Sequence, residues 1–127
     1  MKTPLVVIPL ALLLAGCSAT GPTVATFQVA GDQTYKIELA TPELIAHVKE
    51  LMAGSQDGRI PIGNIVRDSP SVNAPWSWHI DPATLEFADV TTEVCDGLPE
   101  YVEDGTLTSD YYCPWSAEVI ALEGPGS

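Results

Sequence analysis

The stretch Phe27-Gln-Val-Ala-Gly-Asp-Gln-Thr-Tyr-Lys-Ile-Glu-Leu39, running on into Thr41-Pro42-Glu43, decides how the chain is read. Phe27 and Val29 alternate with polar neighbours, Gly31-Asp32 is a turn signal, and Tyr35, Ile37 and Leu39 then alternate against Thr34, Lys36 and Glu38. Alternation with period two on both sides of a turn predicts a β-hairpin with one buried face. Thr41 next supplies an N-cap, Pro42 a first helical position and Glu43 an acid in the first turn, and Gly54 closes the run. Leu44, Ile45, Val48, Leu51 and Met52 fall on one helical face, so the helix should pack on the sheet. Glu43, His47, Lys49 and Glu50 then point outward, with His47 a solvated neighbour of Glu43.

Further along, Ile60 to Val66 reads as a strand that Pro61 pushes toward a sheet edge or a strand start. Arg67 to Pro75 is loop, Trp76 to Ile80 a short aromatic strand and Asp81-Pro82 a turn. Leu85 to Asp96 reads as a long strand bulged near Ala88, Gly97 to Asp110 as an acidic loop, and Trp115 to Leu122 as a last strand. The order β-β-α-β-β-β-β predicts an α+β fold, an antiparallel or mixed sheet with one helix packed on one face. A single domain should occupy residues 26–122, followed by a frayed tail at 123–127.

The chain has 127 residues, 46% of them hydrophobic, which suits one core and not two. With 5 Lys+Arg against 17 Asp+Glu, the formal net charge is -12. Nucleic acid and anionic lipid surfaces attract basic proteins, so both are set aside as electrostatic partners. The acids are unevenly placed: no Lys or Arg occurs after Arg67. A half so acidic is a solvated face, the counterface of a cationic protein, or a Ca²⁺ site.

At the N-terminus Lys2 precedes an apolar run from Pro4 to Ala15 that ends Leu14-Ala15-Gly16-Cys17. A spanning helix needs about 20 apolar residues, so the run reads as an export signal. Its ending resembles the lipobox of bacterial lipoproteins. That resemblance implies residues 1–16 as signal peptide, diacylglyceryl and palmitate-type acylation at Cys17, and residues 17–25 as a lipidated tether. The domain would then be held by lipid at the cell envelope, facing outside the cytoplasm, and on the outer membrane in a host with two membranes. Of the three cysteines, Cys95 and Cys113 remain, and in an oxidising compartment they should pair. Closing the loop between them stabilises by on the order of 3 kcal/mol. With no Cys-x-x-Cys motif the bridge is structural.

Trp76, Trp78 and Trp115, with Tyr111 and Tyr112, form an aromatic concentration. On a strand Trp76, Trp78 and Ile80 share one face while Ser77, His79 and Asp81 share the other, so Trp78 belongs to the core and His79 does not. The candidate binding residues are Trp76, His79, Asp81, Glu100, Glu103, Asp104 and Trp115. Calcium, the one cofactor weighed, would draw on Asp81, Glu93 and Asp96, without any Asp-x-Asp-x-Asp-Gly loop. His79 with Asp81 could act as an oriented base in a hydrolase, yet no partnered nucleophile, Gly-x-Ser-x-Gly elbow, phosphate loop or His-Glu-x-x-His motif is present. The leading expectation is a lipid-anchored, non-enzymatic binding domain that offers its Arg67–Pro75 and Gly97–Asp110 loops to a protein partner, in the manner of an inhibitor. A calcium-binding envelope domain and a hydrolase using His79 and Asp81 are the alternatives.

The blocks Asn73-x-Pro75-Trp76-Ser77-Trp78-His79-x-Asp81-Pro82, Glu93-Val94-Cys95-Asp96 and Cys113-Pro114-Trp115-Ser116 resemble a family of small secreted domains. It is the N-terminal domain family of the calmodulin-binding protein BP seventy-four. The similarity takes in the hairpin and the Thr41-Pro42 helix. It implies a compact exported domain with the Cys95–Cys113 bridge and the Trp-His-x-Asp segment as family features. It carries over no catalytic residue.

Overall fold

The computed structural model describes residues 3–4 and 21–127; Cys17 and the residues immediately before it lie outside the described residues. In chain order the elements are β1 (Thr23–Val29), β2 (Gln33–Leu39), α1 (Pro42–Met52), β3 (Ile60–Val66), β4 (His79–Ile80), β5 (Glu86–Ala88), α2 (Pro99–Glu103), β6 (Tyr111–Tyr112) and β7 (Glu118–Glu123). The fold is α+β, with one main helix and mostly sheet. The single expected sheet is in fact two, both antiparallel.

The hairpin forms as the alternation dictates. Phe27 faces Tyr35 and Val29 faces Gln33 across the ladder, and the turn is made at Ala30 and Gly31, both with positive φ. The strand starts at Thr23, earlier than the hydropathy pattern suggests, because Thr23 and Ala25 continue the inward row with side chains too small or polar to register as core. β7 lies on the other side of β1, giving the order β2-β1-β7, with a register shift between Thr26 and Phe27 that leaves Ile120 extra. Beyond β7, Thr23 Oγ1 donates to Pro125 O, and Ser127 N donates to Gly124 O at 3.2 Å.

Thr41 Oγ1 caps α1 by accepting from Leu44 N at 3.2 Å. Val48 is fully buried and Leu44 and Ile45 pack at the edge of the core, whereas Met52, at the helix end, is 47% exposed. His47 is not a solvated neighbour of Glu43. Its Nε2 bonds Gly58 O at 2.8 Å and its ring lies 4.6 Å from Phe87, which fastens the helix to the entrance of β3.

β3 organises the second sheet. β5 pairs with its first residues, β6 with Gly63 and Asn64, and β4 with Ile65 and Val66. Asn64 exchanges bonds with Thr84 and Asp81 while Ile65 N donates to Asp110 O, so β4 and β5 follow one side of β3 and β6 the other. Pro61 sits at the strand start, before pairing with β6 begins, where its missing N–H costs no ladder bond. The long strand read over Leu85–Asp96 is cut to β5, the short one over Trp76–Ile80 keeps only His79 and Ile80, and the turn read at Asp81-Pro82 is present. Asp81 Oδ1 caps a 3₁₀ turn at Pro82–Thr84, and Asp89 turns away after β5 to accept from Gly58 N at 2.7 Å. A further 3₁₀ turn carries Cys95 to its disulfide with Cys113, at a Cα–Cα distance of 5.0 Å.

The sheets close on an aromatic core. Tyr35 stands 5.7 Å from Phe27, 5.8 Å from Trp78 and 5.2 Å from Tyr112, and Trp78 meets Tyr112 edge-on at 5.6 Å. Trp78 is therefore core, as its strand face predicts.

Candidate functional site

The acidic segment after Gly97 is not all loop. Leu98, just before α2, and Val102 within it turn inward, and Val102 is fully buried. Arg67 reaches across to this segment: Nη1 donates to Val102 O at 2.7 Å and Nη2 to Leu107 O at 3.2 Å. Glu103 points the other way and accepts from Ser77 N at 3.1 Å and Ser77 Oγ at 2.8 Å. Thus the Arg67–Pro75 loop and the acidic segment, distant in sequence, form one tied surface.

The same surface is fixed to the start of β2. Trp76 Nε1 donates to Thr34 O at 2.8 Å, and Glu100 N donates to Gln33 Oε1 at 3.1 Å. Beneath it Asn73, 1% exposed, accepts from Lys36 N at 2.7 Å and donates to Trp78 O at 2.8 Å. Asn73 and Arg67 are the residues that hold the arrangement. Both stood in the sequence without a role, since their partners lie on other elements. Asp68 and Ser71 adopt φ of 58 and 48 within this loop, a left-handed backbone that side chains seldom take.

Of the candidate binding residues, Trp76, Glu100 and Glu103 gather at the start of β2. Asp104 follows directly, with Thr106 N on its Oδ1 at 2.9 Å; these Thr106 hydrogen bonds hold its exposed carboxyl below the ordinary 3.8. His79 is half-buried and donates from Nδ1 to Ser69 O at 2.6 Å. Asp81 serves its own turn, so His79 and Asp81 engage separate partners and do not orient one another. Trp115 belongs to a different depression. Its N donates to Asp96 Oδ1 at 2.8 Å, its Nε1 to Thr92 O at 3.2 Å, and its carbonyl accepts from Arg59. The adjoining cleft of about 230 Å³ is lined by Arg59, Ile60, Asp89, Val90, Thr91 and Trp115. Asp96 is spent on Trp115 N and Gly97 N, and Glu93 is exposed. Among the described residues no three His, Cys, Asp or Glu side chains gather as a metal site, so Asp81, Glu93 and Asp96 do not converge.

These features define a small disulfide-bonded α+β domain in which a rigid sheet carries braced loops. The chain belongs to the family of the BP seventy-four N-terminal domain, whose model matches residues 21–125. That is not a known enzyme family. Neither a curated protein nor a solved structure matches the chain. No helix among the described residues is long and apolar enough to cross a membrane.

Proposed function

We propose that the protein is an exported, lipid-anchored and non-enzymatic binding domain that offers the Arg67–Pro75 loop and the Gly97–Asp110 segment to a partner protein with a cationic surface. The observation that carries this reading is the direction of β1. The chain enters β1 at Thr23, on the Cys17 side, and leaves at Val29, seven residues and about 20 Å further on. The paired loops are bonded at that far end, through Gln33 and Thr34. An anchor at Cys17 would therefore leave them facing away from the lipid. The backbone supports the same view, because left-handed Asp68 and Ser71 are held in place by their surroundings, and such strain collects at sites of function.

The test has two arms. Replacing Cys17→Ser should move the protein from the membrane to the soluble fraction; continued membrane residence would remove the anchor. Glu100→Gln with Asp104→Asn, exposed side chains whose loss leaves the Arg67 and Glu103 ties in place, should weaken capture of envelope proteins and flatten its dependence on salt. Capture with unchanged salt dependence would overturn the charged-loop reading.

A further inference from the structure

The three-stranded sheet treats its two edges differently. At β2 the outward main chain is already occupied: Thr34 O accepts from Trp76 Nε1, and Lys36 N donates to Asn73 Oδ1. Side chains thus take the place of a further strand. At β7 no strand follows among the described residues. Because Thr34 and Lys36 point away from β1, alternation assigns the bonded pairs between β1 and β7 to Val24 with Glu123, Thr26 with Ala121 and Gln28 with Glu118. The main-chain groups of Val119 and Leu122 then face outward. An edge of this kind is a template for another strand.

We propose that the outer edge of β7 is a docking strand for an extended, basic segment of another protein, added by main-chain hydrogen bonds. Beside the edge lies a depression of about 180 Å³, more polar than apolar, whose lining includes Leu51, Met52, Ser55, Gln56, Arg59 and Glu118. Met52, in that lining, is 47% exposed, and Ile120 on β7 is 49% exposed. The charge selects the occupant. Glu118 and Glu123 stand at the two ends of the strand, so a second copy, laid antiparallel, would set acid against acid between molecules that each carry a net charge of -12. A segment bearing Lys or Arg meets the same acids with attraction. The extra residue Ile120 breaks the edge once, so the added ladder is short and side chains supply much of the specificity.

The probe is a labelled acetyl-Lys-Val-Lys-Val-Lys-Val-Lys-amide titrated with the whole chain in detergent. Two derivatives accompany it, one N-methylated at the valines and one at the lysines, because alternate amides of a strand point to opposite sides. Strand addition requires that one derivative loses about tenfold or more in affinity while the other matches the parent. Glu118→Gln with Glu123→Gln should weaken the parent peptide and reduce its salt dependence, and Glu100→Gln with Asp104→Asn should not, which separates this edge from the loops proposed above. No binding of the parent, equal binding of both derivatives, or self-association of the chain through β7 would each overturn the proposal.

Discussion

Gly63 and Ala30 are both small residues on strands or their turns, and exchanging each for the other should act in opposite directions. A Cβ at Gly63 would run into Ile80 Cγ2, and Ile80 is itself 2% exposed in the core. Gly63→Ala is therefore overpacking with no free direction to relax, and should destabilise by about 1–3 kcal/mol. Ala30 holds φ of 50 in an exposed hairpin turn, a conformation that costs an L-residue roughly 1 kcal/mol and glycine almost nothing. The greater freedom of glycine in the unfolded chain takes back part of this gain, so Ala30→Gly should stabilise by roughly 0.5 kcal/mol. Urea midpoints measured side by side decide both, since with equal m-values the midpoints must move apart. A lower midpoint for Ala30→Gly would show that the turn is not strained.

At the scale of elements, α2 depends on a residue that lies outside it. A helix of five residues cannot hold itself, and the Arg67 guanidinium meets two carbonyls, at Val102 and Leu107, that its own turns leave open. Arg67→Met keeps the apolar stem and removes the donors. Amide exchange from Tyr101 to Thr108 should then speed up by about tenfold, while the amides of β1 keep the protection of global unfolding. Unchanged exchange in the segment would mean that Val102 and Leu107 are held by packing alone. The same dependence explains what the sequence could and could not disclose. Hairpin, α1 and β3 were legible because each spans enough residues for a period of two or of 3.6 to appear. So were Trp78 in the core and the disulfide, the latter by elimination among three cysteines. β6 and α2 are too short to carry a period, and they exist because β3, Arg67 and the bridge give them partners; the strand read over Trp76–Ile80 survives only as β4. The candidate site was half legible for the same reason. Trp76, Glu100 and Glu103 announce themselves by type, but Asn73, which joins Lys36 N to Trp78 O, does so only in three dimensions.

At the scale of the whole molecule, the core contains two phenols that fold only in neutral form. Burial, and then the neighbouring Tyr112, push Tyr35 well above the ordinary value of 10.0. Burial, and then the charge of Asp96, push Tyr112 upward as well, while its hydroxyl donates to Gly97 O at 2.7 Å. A group whose pKa is higher folded than unfolded binds its proton more tightly in the native state. Its contribution to stability is complete below the unfolded value and is lost as pH climbs above it. Below 10.0 these residues should give no pH dependence. Above it each should lower the unfolding free energy by about 1.4 kcal/mol per pH unit, because the unfolded chain releases a proton that the folded chain retains. Urea midpoints taken from about pH 8 to about pH 12, with the Cys17 thiol blocked, should stay level and then fall with the slope of two tyrosines. Tyr112→Phe should cost about 1 kcal/mol at neutral pH, by losing the bond to Gly97, and should halve the alkaline slope. A chain that gains in relative stability only where the native protein begins to fail would identify the buried phenols as the cause of alkaline unfolding. An unchanged slope in Tyr112→Phe would instead assign it to repulsion among the surface charges of this acidic chain.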